Sequence, residues 1–295
     1  MRVLTLFVTL WLLEFSRNQG FSQTPAHDGP PYAGFDRNDY PGDAALPELR
    51  KHFAFTGYWI TSPPGETSNS WAGKRDVLQR AGFGFLVVAN GKLDKEILTA
   101  QKRGTKPETL GAQDGRAVAQ AAQREGFPHA TILFLDQEEG GRLLDEQAKY
   151  LLGWTEAVAS TAYRPGVYGS GQPVPDGNGP DGKPVTITTV QDVRSRIAAG
   201  HLHSVAFWIA QDACPPAPGC LLQPPALSAS GTPDVGPGNL SPLVAWQYAQ
   251  SPRRPEITRA CGKTYAADGN CYSPAPARFF IDLSSANEPD PSHGR

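Results

Sequence analysis

The chain has 295 residues, of which 27 are basic and 29 acidic. That near balance, with no basic stripe and no RNA-type aromatic motif, leaves no electrostatic footprint for nucleic acid. The 31 glycines and 28 prolines gather largely in a few long loops, which the remaining length has to accommodate.

Residues 1–22 read as an export signal. Met1-Arg2 supplies a positive start, and Val3 to Leu13 is an apolar run of 11 residues, too short for an ordinary membrane span and suited to a signal-peptide core. No Ala-x-Ala site is present, so cleavage is expected between Arg17 and Gln23, with a retained anchor as the alternative. No other stretch is long enough to span a bilayer. The mature protein is therefore expected in a secreted or periplasmic location, with residues 31–287 as one domain and 288–295 as a tail.

Roughly 270 mature residues approach the ~250 typical of an eight-stranded α/β barrel. In chain order the strand candidates are Tyr32–Arg37, Phe55–Thr61, Phe83–Ala89, Ala130–Glu138, Gly166–Ser170, Ser204–Gln211, Leu243–Ala249 and Arg278–Leu283. Helical patterns lie between most of them, at Asp43–His52, Ala72–Ala81, Gly115–Gly126, Leu143–Ala162 and Thr188–Ala199. Regular strand–helix alternation implies parallel strands with right-handed crossovers. Eight units favour a closed (β/α)8 TIM-type barrel, irregular in its last units. No glycine pattern matches a dinucleotide or Walker fingerprint, and no cofactor is expected.

The fourth run carries the strongest signal. Thr131-Ile132-Leu133-Phe134-Leu135 enters Asp136-Gln137-Glu138-Glu139 and then Gly140-Gly141. An unbroken apolar run reads as a strand buried on both faces, and chemistry in such sheets collects where strands end. Asp136 and Glu138 are two apart, so on a strand they share a side, about 7 Å from each other along the chain. Two carboxylates that close do not ionise independently, and a proton donor beside a charged partner is what glycosidic cleavage needs. A solvated strand end capping the next helix is the simpler reading of the same residues.

On a barrel the other run ends converge with it. The first run brings Asp36, the second Trp59, the fifth Tyr168, the sixth Trp208, the seventh Trp246-Gln247-Tyr248 and the eighth Asp282. Aromatic faces suit sugar rings, while carboxylates and amides bond hydroxyls. The histidines are placed differently. His52, His129, His201 and His203 precede strands, at the opposite end of a barrel from the chemistry, and His27 and His293 lie toward the termini. A histidine metal centre or a Ser-His-Asp triad is not expected. Cys214 with Cys220 and Cys261 with Cys271 form two close pairs whose spacings suit local disulfides in an exported protein better than zinc.

Six segments now carry a resemblance. Gly34-Phe35-Asp36, Leu135-Asp136-Gln137-Glu138, Gly166-Val167-Tyr168-Gly169-Ser170, Phe207-Trp208-Ile209-Ala210, Ala245-Trp246-Gln247-Tyr248 and Ile281-Asp282-Leu283 stand in the order found in family 25 glycoside hydrolases. Those enzymes are cell-wall lysozymes, or muramidases, on a (β/α) barrel. Over Pro31 to Ala286 the chain is more similar still to a related secreted bacterial family, a glycoside-hydrolase-like domain without an assigned reaction. The resemblance implies that Glu138 is the general acid and that Asp36, Asp136 and Asp282 complete an acidic cluster. From their places at the strand ends, Trp59, Tyr168, Trp208, Trp246, Gln247 and Tyr248 are the expected substrate contacts. The chain departs after Asp36, where Arg37-Asn38-Asp39-Tyr40-Pro41-Gly42 replaces the Val-Ser and Gln-Gly usual in the lysozymes.

Three functions are compatible with these residues. One is a glycosidase for peptidoglycan or another extracellular polysaccharide, in which Asp136 or a substrate acetamido group assists Glu138. Another is a barrel that binds cell-wall glycan without cutting it. The third is a phosphodiesterase with Mg2+ or Ca2+ among the carboxylates, which a divalent-cation requirement would reveal.

Overall fold

The computed structural model describes residues 30–137, 140–212, 224–227, 243–250 and 281–295. Glu138, Glu139, the four cysteines and the expected export signal lie outside these residues. No described helix is long and apolar enough to cross a membrane.

The strands form where apolar runs can be buried on both faces. They are β1 (Tyr32–Asp36), β2 (Phe55–Trp59), β3 (Gly84–Asn90), β4 (Ile132–Gln137), β5 (Arg164–Ser170), a hairpin of β6 (Val174–Asn178) and β7 (Pro184–Ile187), then β8 (Ala206–Ala210), β9 (Leu243–Ala249) and β10 (Asp282–Ala286). Eight of them close a barrel in the order β1-β10-β9-β8-β5-β4-β3-β2. Every residue of β2, β4 and β8 is buried, as a helix-covered sheet requires.

The last strand corrects the expected geometry. Instead of ending at Leu283, β10 begins at Asp282 and runs antiparallel to both β1 and β9. An apolar run records burial and leaves strand direction unstated, so the sequence could not show this reversal. Because β9 finishes at the same pole where β10 starts, Asp282 still reaches the end of the barrel where the parallel strands terminate.

Helices cover the barrel between strands: α1 (Leu46–Leu49, after a 3-10 turn at Asp43–Ala45), α2 (Arg75–Arg80), α3 (Asp94–Lys102), α4 (Pro107–Arg124), α5 (Asp145–Ala159) and α6 (Thr189–Gly200). The sequence pattern missed α3 and the first two turns of α4, where polar residues and Gly111 dilute the apolar stripe. Thr188 starts α6 through a reciprocal cap, accepting from Gln191 N at 3.1 Å while the Gln191 side chain accepts from Thr188 N at 3.0 Å.

Helices α4 and α5 touch backbone to backbone. A Cβ on Gly111 would lie 2.0 Å from Tyr150 O, and one on Gly153 would lie 2.3 Å from Glu108 O. Neither carbonyl can retreat without parting the helices. Gly153→Ala should therefore destabilise the protein by ~2–3 kcal/mol despite the better helix propensity of alanine. That corresponds to a melting point lower by about 5–10 °C; an unchanged calorimetric midpoint would show the helices are not so closely held.

Of residues 288–295, expected as a tail, 289–295 are part of the fold. They wedge between β3 and β4 at the pole where the parallel strands begin. Ser292 N donates to Phe85 O at 2.8 Å, Ile132 N donates to Ser292 O at 2.8 Å, and Val87 N donates to Ser292 Oγ at 2.9 Å. Asp290 accepts from Phe85 N at 2.9 Å, and Arg75 donates to Gly294 O at 3.0 Å. Pro291, Ser292 and Gly294 are buried.

Candidate active site

Strand alternation sorts the candidates into two sets. Gly34 and Asp36 of β1 face the barrel axis, as does Phe55 of β2, whose ring fills the space beside Gly34. Asp136 of β4 stands in register between Asn90 of β3 and Tyr168 of β5, and Tyr168 pairs with Trp208 of β8. Asp36 pairs with Asp282 across β1 and β10, and Ser284 pairs with Gln247. Aligned residues on neighbouring strands share a side, so Asn90, Asp136, Tyr168 and Trp208 turn inward together. Asn90 is a member of this group that the sequence reading did not single out.

Gln247 joins the two halves of the site. Its amide nitrogen donates to both Asp36 oxygens, at 3.2 and 3.1 Å, and to Asp282 Oδ2 at 3.4 Å. Its amide oxygen accepts from the Tyr168 hydroxyl at 2.8 Å and from the Gln250 side chain at 3.0 Å. Gln247 is fully buried, and burying an amide is tolerated where its donors and acceptor are matched. Beneath this layer the Tyr168 ring packs on Trp208 with centroids 4.3 Å apart, and Trp208 donates its indole N–H to Ser284 Oγ at 3.1 Å. Trp208 is 1% exposed, so it forms the floor under the site and offers no open face.

Room for Asp36 comes from a glycine. A Cβ on Gly57 would lie 2.5 Å from the Asp36 Cβ, so only glycine at this point of β2 lets the carboxylate stand where Gln247 meets it. Trp59, also on the inner side of β2, donates its indole N–H to Arg37 O at 3.1 Å and ties down the chain just past Asp36. Burial pushes the Arg37 guanidinium below its ordinary value, with Asp39 opposing that shift. Trp246 and Tyr248 flank Gln247 on the other side of β9. Trp246 donates to Gln211 O at 2.8 Å, and burial raises the Tyr248 hydroxyl well above its ordinary value. These two aromatics are not brought to the inner group.

The chain leaving β4 is anchored just downstream of the undescribed Glu138 and Glu139. Arg142 grips Asp176 of the β6–β7 hairpin with two bonds of 2.8 and 2.7 Å and reaches Asp192 at 3.2 Å. Buried Asp192 also accepts from Leu143 N at 3.0 Å and from Arg196 Nε at 3.0 Å. The hairpin is built around the turn-rich Asp176-Gly177-Asn178-Gly179-Pro180-Asp181-Gly182, a hairpin signal that could have located it. Asp192 gave no such signal, because its partners are remote in sequence.

Asp192→Ala takes the acceptor from the buried Leu143 N, an unsatisfied group costing ~1–3 kcal/mol, while the Arg142 and Arg196 side chains it releases are partly exposed and can be hydrated. Asp192→Ala should therefore lower stability by about that much, read by urea unfolding, whereas Asp176→Ala should cost less. The Arg142 guanidinium holds the Asp176 carboxyl below the usual carboxylate range, so this tie is complete above that range and is lost as pH falls through the lowered value. If Asp192→Ala and Asp176→Ala unfold alike, the anchor does not depend on the buried member.

Among the described residues, no three His, Cys, Asp or Glu side chains are grouped so as to hold a metal ion. The described part of the site is a hydrogen-bonded network of the Asp36 and Asp282 carboxylates, the Gln247 amide and the Tyr168 phenol, with Asp136 in register beside Tyr168. It can orient hydroxyl and amide groups and stabilise positive charge.

Comparison with known proteins adds a family. Residues 65–214 match the model of a family described as an Rv2525c-like, glycoside hydrolase-like domain. That span includes Asp136, Tyr168 and Trp208, while Asp36, Gln247 and Asp282 lie outside it. A comparison with curated proteins returned no match. Among solved structures, the chain is similar to an uncharacterized B. stearothermophilus protein at 19% identity and a TM-score of 0.51, covering 86% of this chain and 95% of that one. It also aligns with the catalytic domain of endolysin ply40 from bacteriophage P40 of Listeria monocytogenes, at 12% identity and a TM-score of 0.41, covering 87% and 93%.

Proposed function

We propose, from the premise that this chain belongs to the Rv2525c-like glycoside hydrolase-like family, that it is an exported glycosidase acting on cell-wall peptidoglycan or another extracellular polysaccharide. The observation that carries the reading is the shared amide of Gln247. It holds Asp36 and Asp282 from two strands on one group, at the pole to which β4 delivers Asp136. The likeness to family 25 lysozymes in the segments around these residues supplies their roles. Glu138 protonates the leaving oxygen, and Asp136 or a substrate acetamido group assists on the other side. Asp36 and Asp282 orient the sugar and stabilise the positive charge that develops on it.

The test is release of reducing ends from purified peptidoglycan, run with and without a chelator. Release insensitive to the chelator supports the glycosidase. Retention on sacculi without release replaces the enzyme by a glycan-binding barrel, and hydrolysis of bis(p-nitrophenyl) phosphate that is lost with the chelator and restored by Mg2+ or Ca2+ points to the phosphodiesterase.

A further inference from the structure

Gln247 has more consequences than joining two strands. Its amide can be seated in two ways, related by exchanging the oxygen and nitrogen positions. An ionised carboxylate offers acceptors only. With the nitrogen toward Asp36 and Asp282, three contacts of 3.1–3.4 Å are hydrogen bonds. With the oxygen there, all three set lone pair against lone pair. The carboxylates therefore choose the orientation.

The amide oxygen is then left facing the Tyr168 hydroxyl at 2.8 Å, and an acceptor at that distance obliges the phenol to donate. A phenol has one proton. Once it is given to Gln247, every other bond made by the Tyr168 oxygen is made as an acceptor. The ring cannot swing away to escape this polarity, because it is buried and packed on Trp208 at 4.3 Å. Gln250 adds a second donor to the same amide oxygen at 3.0 Å, which holds the amide in its seat.

We propose that Gln247 is a positioning residue that locks Tyr168 as a hydrogen-bond acceptor, so that the ligand group meeting this phenol has to be a donor, an N–H or O–H of the sugar. The ligand half rests on the glycan reading above. The lock itself rests only on the network. Asp36 and Asp282 thereby act at a distance, setting through one amide what the opposite wall of the barrel can recognise.

Two measurements test this. In the wild-type protein, the Tyr168 hydroxyl proton should be protected from exchange and show a nuclear Overhauser contact to the Gln247 side chain. A rapidly exchanging hydroxyl without that contact overturns the lock, and no variant is needed to see it. Calorimetric titration with triacetylchitotriose, which carries N–H donors, and with cellotriose, which carries only O–H donors, tests the ligand half. Tyr168→Phe should weaken binding of the recognised probe by ~5–15-fold, the worth of one hydrogen bond. Gln247→Met keeps the phenol and removes only its lock, so it should cost less than Tyr168→Phe, and the double variant should lose little more than Tyr168→Phe alone, because Gln247 acts through that hydroxyl. Losses that multiply, or Tyr168→Phe binding like the wild type, overturn the proposal. Loss with triacetylchitotriose alone assigns the donor to an amide, and loss with both probes assigns it to a hydroxyl. If the wild type binds neither probe, the glycan reading and the ligand half fall together, while the hydroxyl proton still decides the lock.

Discussion

Glu138→Gln is expected to lower glycan cleavage by ~10²–10⁴ while leaving folding and glycan binding nearly intact, because it keeps the shape and removes the transferable proton. Glu139→Gln should change the rate little. The difference follows from β4. Asp136 turns inward in register with Tyr168, and Gln137 turns to the outer side, where it is buried. If that alternation holds for one more residue, Glu138 falls on the side of Asp136. Rates from reducing-end assays on both variants check the assignment. If Glu139→Gln abolishes cleavage and Glu138→Gln spares it, the chain shifts register as it leaves β4.

Deleting residues 289–295 is expected to abolish the cooperative fold. The deletion strips hydrogen-bond partners from Phe85 N, Val87 N, Ile132 N and the Arg75 guanidinium. Each buried group left unsatisfied costs ~1–3 kcal/mol, so together they approach the ~5–15 kcal/mol that is the whole stability of a typical domain. Ser292→Ala removes only the bond to Val87 N and should cost ~1–3 kcal/mol, a graded effect of the same cause. Thermal unfolding followed by circular dichroism separates these outcomes. A shortened chain melting within about 2 °C of the intact one would mean the wedge is an ornament on a barrel already stable without it.

Much of the barrel was legible because buried parallel strands declare themselves as apolar runs: seven of the eight expected runs coincide with barrel strands in the expected direction. The eighth, around Asp282, was placed at the right pole with the wrong direction, since burial carries no arrow. The wedge at Asp290-Pro291-Ser292 was illegible for a different reason. Its stability comes from backbone groups of β3 and β4 more than 150 residues away in the chain, and no local pattern encodes a distant partner. The site divides in the same way. Asp36, Asp136, Tyr168, Gln247 and Asp282 could be nominated from their places at run ends. Trp246 and Tyr248 were nominated with Gln247, but alternation separates neighbours that sequence proximity groups together. The amide that organises the carboxylates was visible only as one polar residue between two aromatics.

The wedge also sets a timetable. Val87 meets Ser292 across 205 positions and Arg75 meets Gly294 across 219, while β1 waits for β10 to pair with its free edge. Contacts this remote are formed late and slowly. Pairing of β1 with β10 and seating of the wedge are therefore expected among the last steps as the intact chain folds.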